Sequence, residues 1–119
     1  MMEYVFVGIG GALGSLARYS LGRIVSGKAT TTFPLGTFII NITGAFLLGI
    51  VSTLSLNPNI YLLLADGFLG AYTTFSTFMY EGFNLFQGNE KLNAIVYILG
   101  SLIIGIIGFT IGVTITKLF

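Results

Sequence analysis

The residues best suited to bind a ligand form one short run inside an apolar segment. Consecutive positions there alternate hydroxyl groups with phenyl rings: Thr73, Thr74, Phe75, Ser76, Thr77 and Phe78. Threonine is β-branched and serine competes for backbone hydrogen bonds, so the run disfavours an uninterrupted helix. Non-helical backbone at membrane depth is tolerated only where protein buries it or where it lines a wet cavity. The sequence therefore predicts a helix break and a binding site at this run.

The composition argues against an enzyme. The 119-residue chain has no cysteine, so it can form no disulfide, thiol nucleophile or iron–sulfur site. It also has no histidine, the usual metal ligand and general base. No pair of acidic residues lies within an apolar segment.

Two further polar residues lie inside other apolar segments. Asn41 offers two amide donors and one acceptor, and a polar group in lipid needs a partner. It either hydrogen-bonds a neighbouring helix or faces a pore or substrate. Arg18 is a functional-site hypothesis because a charge within a membrane helix is costly. It either snorkels to the membrane interface or lines a vestibule that concentrates anions.

Small residues at helical spacing mark packing faces. Gly10, Gly14 and Arg18 share one helix face, and the two glycines form a GxxxG packing pattern. A second stripe in the last apolar segment is polar at one end and small along the rest: Tyr97, Ser101, Gly105, Gly108 and Gly112. Packing explains its glycines. Tyr97 and Ser101 either extend a polar track or, for the tyrosine, anchor the helix at the interface.

The composition is that of an integral membrane protein. Hydrophobic residues make up 55% of the chain and charged residues only 8%, against about 25% charged in soluble domains. Each membrane crossing needs about 20 mainly apolar residues. We therefore expect a single all-α domain of four transmembrane helices with a break in the third, at 4–25, 33–54, 60–80 and 93–116. The connections, 26–32, 55–59 and 82–91, are too short to hold a soluble domain.

The charges give weak signals about topology and partners. Three loop residues, Arg23, Lys28 and Lys91, lie on one predicted side against Lys117 on the other, which mildly favours one orientation with both termini outside. The net charge of +1 gives no reason to expect a nucleic-acid partner. The start of the chain lacks the basic region of a cleaved signal peptide. Asp66 is the only acid inside a predicted span, and the sequence suggests no role for it.

With these residues in view, the chain resembles the Fluc (CrcB) family of bacterial fluoride channels. Three blocks carry the resemblance: residues 10–19 (GGALGSLARY), 36–41 (GTFIIN) and 67–78 (GFLGAYTTFSTF). The third block is highly specific, and its combination with an intramembrane Asn41 decides the assignment. The four-span layout matches over the whole length.

The resemblance implies passive fluoride efflux through an antiparallel, dual-topology homodimer in the cell membrane. It implies two fluoride pathways, with lining positions that match the family's pattern: Asn41, Phe75 and Phe78, with the hydroxyls of Thr74, Ser76, Thr77, Tyr97 and Ser101. It further implies a structural sodium ion on the dimer axis. The backbone carbonyls of Gly70 and Thr73 would hold this ion, and Arg18 would lie near the aqueous vestibule.

Physical chemistry agrees with the implied ion. Fluoride is small and strongly hydrated, so a pore must replace its water with compact donors such as amide and hydroxyl groups. The edges of phenyl rings are positive and also attract an anion. Fixed full charges would bind the ion too tightly, whereas several weak sites let it leave.

Two other classes of membrane protein share part of this pattern. Small multidrug-resistance transporters have a similar layout but need a carboxylate within helix 1, where this chain has only Glu3 at the very end. A purely structural membrane subunit would not require the phenylalanine–hydroxyl run beside Asn41.

Overall fold

The computed structural model describes residues 1–28 and 32–119, and all regular structure in these ranges is helical. The predicted all-α class is confirmed. Part of the predicted connection 26–32 lies outside the described residues. The helices, in chain order, are α1 (Met2–Lys28), α2 (Leu35–Thr53), α3 (Pro58–Tyr61), a π-helix (Leu62–Leu69), α4 (Gly70–Tyr72), α5 (Ser76–Gln87) and α6 (Lys91–Leu118).

The third predicted span corresponds to residues 58–87, which comprise α3, the π-helix, α4 and α5 and are called the third element below. It begins at a clear capping signal and changes from α-helix to π-helix and back. The Asn57 side chain accepts a hydrogen bond from the Asn59 amide at 2.9 Å, and Pro58 occupies the first helical position. The chain then runs through α3, the π-helix and α4 without a gap. At Thr73 the backbone becomes extended, with φ −81° and ψ 159°, and helical structure resumes at Ser76.

Glycines on α1 allow a very close approach of the π-helix. A Cβ at Gly10 would overlap the Leu63 carbonyl, and one at Gly14 would overlap the Phe68 carbonyl. Gly67 faces back onto α1 in the same way, against the Val7 carbonyl. The predicted packing role of Gly10 and Gly14 is confirmed, and their partner is the main chain of the π-helix.

Two small apolar clusters hold the remaining helices. One joins α5 to α6 through Phe78, Leu85, Ala94 and Tyr97, and the other joins α2 to the end of the π-helix and α4 through Ile40, Leu69 and Tyr72. The first cluster corrects the expected end of the third helix. We expected a loop from residue 82, but α5 continues to Gln87 because Leu85 is buried against α6.

Two helices of the described chain are long and apolar enough to cross a membrane, with mean hydropathies of 1.9 for Leu35–Thr53 and 2.4 for Lys91–Leu118. α6 keeps a broad apolar surface, on which Leu102, Ile103 and Ile106 are each more than half exposed. The interruption at Thr73 leaves no single long helix in the third element, and α1 carries Arg18 and Arg23. A surface this apolar requires lipid or a partner protein.

The close contact between α1 and the π-helix predicts a position-specific effect of adding one methyl group. Gly14→Ala should lower the free energy of unfolding by about 1–3 kcal/mol, because the Phe68 carbonyl belongs to the backbone and must shift. Gly8→Ala is the matched control, since a Cβ there meets nothing within 4 Å. Denaturant or thermal unfolding in detergent measures both variants. Equal stability of the two variants would contradict this packing.

Candidate functional site

The amide of Asn41 binds both main-chain groups of one residue at the interruption. Asn41 Nδ2 donates to the Thr74 carbonyl and the Thr74 amide donates to Asn41 Oδ1, each at 2.9 Å. These bonds satisfy the two backbone groups that the interruption would otherwise leave without partners. Of the two roles considered for Asn41, the hydrogen bond to a neighbouring segment is confirmed. Gly44, one turn along α2, lets Thr73 pack against α2, because a Cβ at Gly44 would overlap the Thr73 methyl group.

This pairing changes which carbonyls of the third element are free. In a continuous helix the Thr74 amide would donate to the Gly70 carbonyl, and the Thr77 amide to the Thr73 carbonyl. Both amides are diverted: the first binds Asn41 Oδ1, and the second binds Thr74 Oγ1 at 3.2 Å. Gly70 and Thr73 are therefore left with carbonyl oxygens that their helical partners do not use. Carbonyl oxygens suit an alkali cation, so the donor chemistry fits the expected sodium ligands.

The hydroxyl groups of the run differ in whether they can still donate. Thr73 Oγ1 donates its proton to the Leu69 carbonyl at 2.9 Å. Thr74 Oγ1 accepts from the Thr77 amide, so its own proton is free to bind an acceptor. Ser101 Oγ is buried and finds no hydrogen-bond partner within residues 1–28 and 32–119. Thr74 and Ser101 thus each keep a hydroxyl proton that can bind an acceptor.

Three aromatic rings follow one another beside these donors. The centroids of Phe75 and Phe78 lie 6.2 Å apart, and those of Phe78 and Tyr97 lie 5.2 Å apart. Phe75 is 73% exposed, whereas Phe78 and Tyr97 are buried. The predicted nearness of Phe75 and Phe78 is confirmed. Tyr97 is a core residue and does not act as an interfacial anchor.

A groove of 890 Å³ brings most of the expected site residues together. Its expected members are Asn41, Gly70, Thr73, Thr74, Phe75, Phe78 and Ser101. Apolar side chains of α2 and α6, including Leu48 and Ile106, form the rest of its walls. Ser76 is exposed and lies outside this groove.

A second, more polar cavity of 660 Å³ lies on the other side of the interruption. Arg18 and Arg23 from α1 and Glu81 and Asn84 from α5 contribute its charged and amide groups. Thr77 lines this cavity, and Thr74 lines both cavities. Arg18 therefore lines a polar recess that it shares with Thr74 and Thr77 of the hydroxyl run.

Sequence reasoning missed Glu81, Tyr72 and Thr43. Glu81 lines the polar cavity and accepts a 3.4 Å hydrogen bond from the Tyr97 hydroxyl. Its spacing of three from Phe78 on one helix was the available signal. Tyr72 is buried, and its hydroxyl bonds Thr43 Oγ1 at 2.8 Å, so it fixes the last turn before the interruption to α2.

Comparison with known proteins identifies the family. The sequence profile described as "CrcB-like protein, Camphor Resistance (CrcB)" matches residues 5–113. The chain belongs to the CrcB family. A CrcB relative from Clostridium acetobutylicum, named fluoride-specific ion channel FluC 2, is 62% identical over 117 residues, covering 98% of this chain and all of the relative. Relatives named fluoride-specific ion channel FluC include those of Acidobacterium capsulatum (43% identical; 96% of this chain and 95% of the relative) and Thermus thermophilus (42%; 94% and 96%).

The Asn41 pairing predicts how this CrcB chain responds when the amide is removed. Asn41→Ala leaves the Thr74 amide and carbonyl without partners, at a cost of about 1–3 kcal/mol for each group. The Thr74 amide should then exchange its hydrogen much faster, as measured by hydrogen–deuterium exchange in detergent. Asn41→Asp is the control, because its carboxylate still accepts from that amide. A Thr74 amide that stays equally protected in Asn41→Ala would show that the pairing does not hold the interruption.

Proposed function

We propose that this protein is a fluoride-selective channel of the cell membrane that lets fluoride leave the cytoplasm passively. The central observation is the interruption at Thr73, fixed by Asn41 and flanked by phenyl rings and unused hydroxyl donors. Relatives that cover nearly the whole chain are named fluoride-specific ion channels. Relief of fluoride stress needs no catalysis, since fluoride enters as the neutral acid and ionises in the less acidic cytoplasm.

The proposed pathway runs along the donors that the fold leaves available. Thr74 and Ser101 have hydroxyl protons that can replace part of the hydration shell of fluoride. The rings of Phe75 and Phe78 lie beside them, and a ring edge attracts an anion without holding it permanently. Asn41 fixes Thr74 with one N–H and its carbonyl oxygen, and its second N–H remains a further donor beside the groove. Ser76, Thr77 and Tyr97 remain proposed members of the pathway.

The polar cavity is the proposed entrance to this pathway. Arg18 and Arg23 give it two positive charges, which raise the local concentration of anions. Thr74 lines both the cavity and the groove, so an ion passing between them would meet its hydroxyl group. Glu81 lies in the same cavity, where its negative charge opposes close binding of an anion to the two arginines.

We further propose that the chain has four membrane spans and that two copies of it assemble as an antiparallel homodimer around a sodium ion. The groove is open in one protomer, and the exposed Phe75 and the apolar face of α6 need a cover. A two-fold axis in the membrane plane would bring the two interruptions together. The unused carbonyls of Gly70 and Thr73 from both copies would then meet around one cation. When bound, such a cation would supply positive charge near the pathway without lying in it.

A drug–proton exchanger is the alternative with a similar layout. It would require a carboxylate within α1, and the acid of that helix, Glu3, is exposed in its first turn. The polar cavity instead carries arginines, which favour anions. The described site therefore fits an anion channel better than a cation exchanger.

Anion flux tests the proposed function directly. Liposomes containing the purified protein should release fluoride and retain chloride, because the donors are compact and few. Phe75→Ile and Phe78→Ile keep the apolar bulk but lose the ring edge, and each should slow fluoride release by roughly tenfold or more. Ion-selective electrodes record both anions.

Phe83→Ile is the matched control for these ring variants. Phe83 lies on α5, is 59% exposed and lines neither cavity. The Phe83→Ile variant should release fluoride as fast as the unmodified protein. Equal release of chloride and fluoride would contradict a fluoride-selective channel. Normal fluoride release by both ring variants would show that the rings serve only packing.

Labelling of a single cysteine tests the dual topology. Phe119→Cys introduces the only thiol, because the chain has no cysteine. If both orientations are inserted equally, roughly half of the protein should react with an impermeant reagent in intact cells, and the rest after permeabilisation. Labelling that is nearly complete, or nearly absent, before permeabilisation would exclude the antiparallel dimer.

A further inference from the structure

Asp66 lines the groove, and among the described residues that line it there is no lysine or arginine. It occupies the middle of the π-helix, its side chain is exposed in the protomer, and it lines the same groove as Gly70 and Thr73. None of the five basic residues of the chain is among the residues that line this groove. Neither the hydroxyl run nor the aromatic rings use this carboxylate.

The surroundings make an isolated carboxylate unfavourable once the groove is covered. Leu48, Ile106 and Phe109 form apolar walls near it. A charge buried among such groups without a partner is strongly disfavoured, and an acid at membrane depth normally serves a function. A cation within reach of Asp66 would stabilise its carboxylate in the covered groove.

The carbonyls left unused by the interruption lie close to this acid. Gly70 follows Asp66 by four residues, at the end of the π-helix that carries Asp66, and both residues line the groove. The Thr74 amide, which would otherwise bind the Gly70 carbonyl, binds Asn41 instead. The groove thus combines neutral oxygen ligands with one nearby full negative charge.

We propose that Asp66 sets the affinity of the cation held by the Gly70 and Thr73 carbonyls, acting as a charge partner from outside the ligand set. This inference rests on the proposed sodium site and dimer. Carbonyl oxygens carry no net charge, so they offset the desolvation of a cation only in part. In a two-fold dimer, one Asp66 from each copy would flank the ion and supply the missing negative charge. Asp66 is accordingly a residue that tunes the affinity of the cation site without being one of its ligands.

Sodium-dependent stability tests this role without measuring flux. The purified full-length protein in detergent is unfolded thermally over a series of sodium concentrations, with N-methyl-D-glucamine holding ionic strength constant. Asp66→Asn and Asp66→Ser should raise the sodium concentration for half-maximal stabilisation by about tenfold or more, as expected for losing a unit charge near the ion. Asp66→Glu keeps the charge and should stay close to the unmodified protein. Glu3→Gln removes an acid that does not line the groove and should leave the midpoint unchanged.

The outcomes separate this inference from the function on which it rests. If the unmodified protein gains no stability from sodium, the proposed cation site is wrong and the role of Asp66 fails with it. If sodium stabilises the unmodified protein and both neutral variants share its midpoint, the site stands and the role of Asp66 is refuted. If the neutral variants do not fold as homodimers, mixed dimers with one Asp66 are purified through two different tags. These should show an intermediate midpoint, and an unshifted midpoint would overturn the proposal.

Discussion

The pairing of the Asn41 amide with both main-chain groups of Thr74 is the interaction on which the site depends. A helix interrupted in an apolar environment exposes amides and carbonyls that water cannot satisfy. The Asn41 side chain satisfies both main-chain groups of Thr74, because Nδ2 donates to the Thr74 carbonyl and Oδ1 accepts from the Thr74 amide. It also draws the Thr74 amide away from the Gly70 carbonyl. The same contact therefore stabilises the interruption and creates the unused oxygens beside it.

The scaffold around this contact is held by backbone approach more than by a large core. Gly10 and Gly14 bring α1 against the carbonyls of the π-helix, and Gly44 brings α2 against Thr73. The two halves of the third element are thus fixed independently, one by α1 and the other by the contact of Phe78 with Tyr97. Because the helical segments before and after Thr73 are each held by other helices, the backbone at Thr73 can stay extended.

The sequence carries local signals for the interruption, whereas the ends of the elements depend on tertiary contacts. Runs of hydroxyl and phenyl side chains are such local signals, so extended backbone near residue 73 and a hydrogen-bonded Asn41 could be predicted. The end of α5 could not, because Glu81, Asn84 and Gln87 resemble a polar loop until Leu85 is seen buried against α6. The π-helix has no local sequence signal of this kind. It packs closely against Gly10 and Gly14 of another helix, a tertiary contact that the local sequence does not reveal.

The directions of the hydroxyl protons link the fold to selectivity. Thr73 and Thr74 are neighbours of the same type, yet Thr73 donates to the Leu69 carbonyl while Thr74 accepts from the Thr77 amide. Because the Thr77 amide binds Thr74 Oγ1, the Thr73 carbonyl oxygen loses its helical partner and suits a cation, whereas Thr74 keeps a hydroxyl proton that suits an anion. Groups of opposite preference are separated by a single peptide unit. The interruption thus holds groups suited to a cation and groups suited to an anion next to each other.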